Sequence, residues 1–117
     1  MSHSISLKTA KEMTSLFRKQ KETILDPVYQ GQNIIPQCES FDAEIFKTLL
    51  EVPACVGVRI YYGMSDDLKL HAIIVGVNDK DEDILPAEVR SLVEEPPIIE
   101  EGVRCPPNCP PSSPLNS

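Results

Sequence analysis

The chain has 117 residues, of which 41% are hydrophobic and 25% charged. That is ordinary globular usage at a length for one domain, so a wholly disordered chain is excluded. A net charge of −7 argues against a nucleic-acid partner, and no apolar run approaches the ~20 residues that span a bilayer. Met1 to Ser4 show neither the basic head nor the apolar segment of an export signal. The expectation is a small acidic cytoplasmic protein with reduced thiols, Cys38 and Cys55 being buried as small hydrophobes.

Leu7, Ala10, Met13, Phe17 and Ile24 recur at helical spacing and predict an amphipathic helix over 7–24. Thr9 to Glu12 fits a capping box, with Ser6 an alternative cap one turn earlier, and Asp26-Pro27 ends the helix. The opposite face carries Lys8, Lys11, Arg18, Lys19 and Lys21. A linker follows over 26–39, and Asn33 to Ile35 is a candidate edge strand within it. Phe41 to Leu50 reads as a second helix with Asp42 as N-cap and a hydrophobic staple between Phe41 and Phe46; Pro53 closes it.

Val56 to Tyr62 and Leu70 to Val77 are rich in β-branched residues and flank a polar turn, which predicts a β-hairpin. Matching like with like sets Ile60 against Ile73, Val58 against Val75, Tyr62 against His71 and Gly57 against Gly76. Glycines at that level let something approach the sheet closely. A two-stranded hairpin is rarely stable alone, so an added strand is expected from Ser4 to Leu7, Asn33 to Ile35, or Pro97 to Ile99. Asn78 to Asp83 forms an acidic turn, and Pro86 to Val93 reads as a short helix with proline at its first position.

Residues 79–101 carry nine acidic and two basic side chains, and residues 1–22 carry five basic and two acidic. This polarity suggests that the basic helix face meets the acidic segment, within a chain or between chains. Of the 11 prolines, seven fall after residue 95, and residues 105–117 form a Pro/Cys-rich tail beyond a 1–104 domain.

No catalytic constellation emerges. Cys105 and Cys109 have a spacing fit for a metal half-site or a local disulfide, but no second cysteine pair completes a zinc site, and two free thiols are the favoured reading. Asp79 to Asp83 begins like a calcium loop, yet Ile84 and Arg90 stand where glycine and glutamate are needed. Arg59, Tyr61, Tyr62 and His71 form a candidate ligand-binding group on the hairpin. Arg104-Cys105-Pro106-Pro107-Asn108-Cys109-Pro110 matches a basic-x-x-Pro-x-x-Pro ligand pattern and would dock as a stiff polyproline strand. The candidate interaction residues are Lys11, Arg18, Lys19, Arg104, Pro107 and Pro110.

Phe41-Asp42, Arg59-Ile60-Tyr61-Tyr62-Gly63-Met64, Ile74-Val75-Gly76-Val77 and the tail from Arg104 to Pro111, with Ser113-Pro114-Leu115-Asn116, together resemble a family of small uncharacterised bacterial proteins. The resemblance implies a bacterial, cytoplasmic setting and transfers no site. The expected fold is α+β: two helices packed on a small antiparallel sheet built around one hairpin, with a proline-rich tail. The expected function is a non-enzymatic protein-interaction or assembly module with no cofactor. Its partner is protein, including its own copies as a homodimer, and neither nucleic acid nor membrane. A metal- or redox-responsive protein using Cys105 and Cys109 is the alternative, and a small anion-binding protein or enzyme ranks behind both.

Overall fold

Helical periodicity and β-branched runs yield the elements in the computed structural model, which describes residues 3–86 and 96–117. In chain order these are α1 (Leu7–Gln20), a 3-10 turn (Pro27–Tyr29), β1 (Cys38–Ser40) and α2 (Ala43–Leu50). There follow β2 (Gly57–Met64), β3 (Leu70–Val77), β4 (Asp83–Ile84) and β5 (Val103–Cys105). β1 pairs with β5, and β2, β3 and β4 form an antiparallel sheet in that order. The fold is α+β. Contacts divide the chain into two units, one of residues up to Glu39 with Arg104–Ser117, the other Ser40–Val103. In this division the tail beyond residue 104 belongs to the same unit as α1.

In the first unit, Ser6 rather than Thr9 caps α1. Its side chain accepts from the Thr9 N–H, satisfying one of the orphan donors of the first turn. The helix stops at Gln20, a turn earlier than the periodicity suggests. Beyond it the Glu22 carboxylate accepts from the Gly31 N–H and the Lys21 ammonium donates to the Ile35 carbonyl. Asp26 then caps the 3-10 turn by accepting from the Val28 N–H. Asn33 has a φ of 57°, which breaks extended geometry, so the expected strand over 33–35 does not form and Ile34 is buried instead.

In the second unit, Asp42 stands at the N-cap of α2, and Phe41 meets Phe46 edge-on with ring centroids 5.9 Å apart. That contact joins the positions flanking the helix start, as a staple requires. Leu49 is fully buried and forms the core with Ile74 and Ile99, against which Phe41, Ile45 and Phe46 pack.

The hairpin forms one residue out of the expected register. Ile60 opposes Ile74, Val58 opposes Gly76, Tyr62 opposes Ala72 and Gly63 opposes His71. The turn decides this. Leu68 N–H donates to Ser65 O at 2.8 Å, Leu68 adopts a φ of 65°, and Ser65 N–H then donates to Lys69 O at 3.0 Å. A type I turn followed by a left-handed residue is a known hairpin closure, and it outweighs the better side-chain matching of the other register.

The new register also explains Gly76. A Cβ there would sit 3.0 Å from the Cys55 sulfur and 3.3 Å from Leu49, so the close approach is that of α2 and its following loop. The far side of β3 is covered in two pieces: Gly76 pairs with Ile84 of β4, and Ile74 exchanges both backbone hydrogen bonds with Ile99. Of the three strands expected to extend the hairpin, only the segment ending at Ile99 contributes, and as a single bridge. The expected helix over 86–93 lies outside the described residues, Pro86 apart.

Candidate functional site

The slipped register moves His71 from the face of Tyr62 to that of Arg59 and Tyr61. Arg59 and Tyr61 share one face of the sheet with His71, while Tyr62 lies on the other, where it is 74% exposed. Arg59 and Tyr61 reach across β3 to its far neighbour. The Arg59 guanidinium binds the carboxylates of Asp83 and Asp81, and the Tyr61 hydroxyl donates to Asp83. Val75, which pairs with Arg59, is only 2% exposed beneath this bridge. Hydrogen bonds from Tyr61 and then Arg59 hold Asp83 below the ordinary aspartate value. The same contact with Asp83 pushes the Tyr61 phenol up. The guanidinium is thus neutralised by its own chain rather than open to an anion.

His71 sits in a different group. Its Nε2 lies 3.3 Å from Ser65 Oγ and its Nδ1 lies 3.4 Å from a Glu100 oxygen. Serine, histidine and glutamate in that order have the sequence of a nucleophile, a base and an orienting acid. Ser65, however, is committed to the hairpin turn: its hydroxyl donates to Asp67 and accepts from the Lys69 N–H. The Ser65 bond in turn lowers the Asp67 pKa. The arrangement closes a turn and presents no free hydroxyl to a substrate. Ser65 and Glu100 escape a sequence reading because the serine lies in a polar turn and the glutamate is distant in the chain.

Cys105 and Cys109 are joined in a disulfide, with Cα atoms 4.5 Å apart, in place of the favoured pair of free thiols. Cys105 is fully buried and Cys109 exposed. Cys38 and Cys55 are free and half-buried rather than fully buried. Among the described residues no three His, Cys, Asp or Glu side chains converge on a metal-sized site.

The tail is folded rather than extended. Arg18 donates to the carbonyls of Leu115 and Ser117 at 2.6 and 2.8 Å, Asn108 N–H donates to Arg104 O, and Asn116 bonds both Ser113 N–H and Pro111 O. Arg104 is spent on the Asn33 carbonyl at 2.9 Å. The pattern from Arg104 to Pro110 is therefore bent by the disulfide and lacks a free arginine, so it is not presented as a polyproline ligand. Pro107 and Pro110 are exposed. Lys11 and Lys19 border a shallow, basic depression along α1.

A concavity lies within the second unit, an open groove of about 570 Å³. Asp42, Ile45 and Thr48, three residues apart, bring one face of α2 to it; the opposite wall is the chain over 98–103, held by the bridge between Ile74 and Ile99. Phe41, Ile45, Ile98, Ile99 and Val103 supply an apolar floor, of which Ile98 is 47% and Val103 51% exposed. Asp42, Glu44, Glu100 and Glu101 stand around it, and among the described residues no lysine or arginine lines it. The groove can bury an apolar side chain while its carboxylates attract cations. Comparison with known proteins returns nothing: no protein family, no curated protein and no solved structure matches this chain.

Proposed function

We propose that the chain is a non-enzymatic protein-interaction module whose groove takes a basic, apolar-faced segment of another protein. The observation that carries this reading is the apolar floor between α2 and residues 98–103, framed by four carboxylates with no cation among the described lining residues. The floor supplies buried area, and the carboxylates supply orientation and speed of encounter. The groove's open form suits a helix or strand lying along it better than a small enclosed substrate. No helix among the described residues is long and apolar enough to cross a membrane.

The test is an NMR titration of the full chain with an amphipathic Leu/Lys peptide and its Leu/Glu counterpart. The Lys peptide should shift Ile45, Ile98 and Val103, the Glu peptide should not, and the double variant Glu100→Lys with Glu101→Lys should lose the shift. Equal response to both peptides, or shifts spread evenly over the acidic surface, would remove the reading.

A redox-responsive tail is the second reading, favoured by the disulfide between Cys105 and Cys109. Cys109 is the exposed partner of the bridge and Cys105 the buried one, and a dithiol would reduce the bridge to two thiols by two electrons. Reduction should loosen residues 105–117, and Cys109→Ser should reproduce that state without reductant. Identical tail dynamics in all three samples would eliminate it.

A further inference from the structure

Among the described residues β2 is the terminal strand of its sheet, with β3 on one side and no strand on the other. The turn determines which of its backbone groups face outward. Ser65 N–H donates to Lys69 O, and hydrogen-bonded pairs alternate along an antiparallel ladder. Residues 57, 59, 61 and 63 therefore bond to β3, while Val58, Ile60, Tyr62 and Met64 point their N–H and C=O groups away from it. Ile74 agrees with this assignment: it pairs with Ile60 in register but sends its own N–H and C=O to Ile99 on the far side of β3.

The same four residues carry apolar side chains that remain 44%, 51%, 74% and 61% exposed in chain order. Natural edge strands are blunted by lysines, prolines or bulges that block further pairing. Between Gly57 and Met64 the one charged residue is Arg59, on the opposite face and bound to Asp81 and Asp83. The edge is thus uncharged along its open row and carries no blocking device.

We propose that β2 is a self-association strand, pairing antiparallel with β2 of a second copy about a two-fold axis at Tyr61. In this register Val58 faces Met64 of the second copy, Ile60 faces its Tyr62, and Tyr61 faces Tyr61. Every facing pair in the open row is apolar. Arg59 falls opposite Gly63 of the second copy, so like charges do not meet. All outward groups are satisfied, with up to about eight inter-chain hydrogen bonds. Shifting the axis to Ile60 keeps the faces matched but moves the outward groups of Met64 beyond the strand. The contact is isologous and closes at two copies, joining two three-stranded sheets into one of six. It uses a surface other than the groove and does not rest on it.

The test combines sedimentation equilibrium with amide hydrogen exchange across a concentration series of the full chain. The mass should rise toward a dimer, and over the same range the amides of Val58, Ile60, Tyr62 and Met64 should gain protection. Tyr62→Lys sets an ammonium against the apolar row and should weaken dimerisation by roughly tenfold or more. Ile60→Pro removes one outward donor and no β3 bond, and it should do the same. A monomer at every concentration overturns the proposal. So does a dimer that survives both substitutions, or one whose protection lies on other amides. Peptide shifts at Ile45, followed in the same samples, report on the groove separately and should persist in Tyr62→Lys.

Discussion

The Tyr61 hydroxyl on β2 donates to the Asp83 carboxylate on β4, across the strand between them. With Arg59 it clasps the three strands together over Val75. The charged form of Asp83 and the neutral form of Tyr61 are both favoured by this contact. Because the Asp83 pKa is depressed on folding, its contribution is present above the unfolded value and is lost as pH falls through the folded one. Because the Tyr61 pKa is raised, its contribution is present below the unfolded value and is lost as pH rises through the folded one. Stability from the clasp should therefore plateau between about pH 4 and about pH 10 and decline on both sides. Thermal unfolding of wild type and Tyr61→Phe across pH checks this: the variant should show a lower melting point on the plateau and a shallower acid limb.

A methyl group at Gly76 would be tight against its neighbours. Gly76→Ala places a Cβ 3.0 Å from the Cys55 sulfur and 3.3 Å from Leu49. Over-packing of this kind costs about 1–3 kcal/mol, and denaturant unfolding should show it. Cys55→Ala, which shrinks the nearer neighbour, should restore part of the loss in the double variant.

Leu68 is the reverse case. It holds a φ of 65° in the turn and is 42% exposed, so its side chain contributes little burial in return for the strained backbone. Leu68→Gly should stabilise the chain by about 0.5–1 kcal/mol with the register unchanged, measured by denaturant unfolding and the cross-strand contacts of Ile60 with Ile74.

Leu49 is the most buried apolar side chain of the second unit. Leu49→Ala should cost about 2–5 kcal/mol and widen the groove floor, since Ile99 packs in the same core. Chemical denaturation gives the cost, and altered shifts at Ile98 and Ile99 give the effect on the groove.

Arg18 holds the tail through the carbonyls of Leu115 and Ser117. Arg18→Ala should free residues 113–117 while leaving α1 helical. Backbone relaxation should rise over those five residues alone, and circular dichroism should be unchanged.

The helices were legible because their signals are local. Ser6, Asp42 and the pair Phe41 with Phe46 lie within a few residues of the ends they define. The hairpin was legible as an element but not in register, because a leucine stands at the left-handed turn position where glycine or asparagine would have announced it. The meaning of Gly76 depends on Leu49, 27 positions earlier, and only the folded chain brings the two together. The groove joins residues 40–48 to residues 98–103, and no periodicity links segments so far apart. Cys105 and Cys109 were visible as a pair, but spacing alone does not choose between thiols, metal and disulfide.

β3 lends its far flank to two visitors, Ile84 against Gly76 and Ile99 against Ile74. The chain that leaves the sheet at Ile84 thus returns to it two rungs away, roughly 7 Å along the strand. Any displacement of β3 would therefore release Ile84 and Ile99 together, so the two contacts report on one strand.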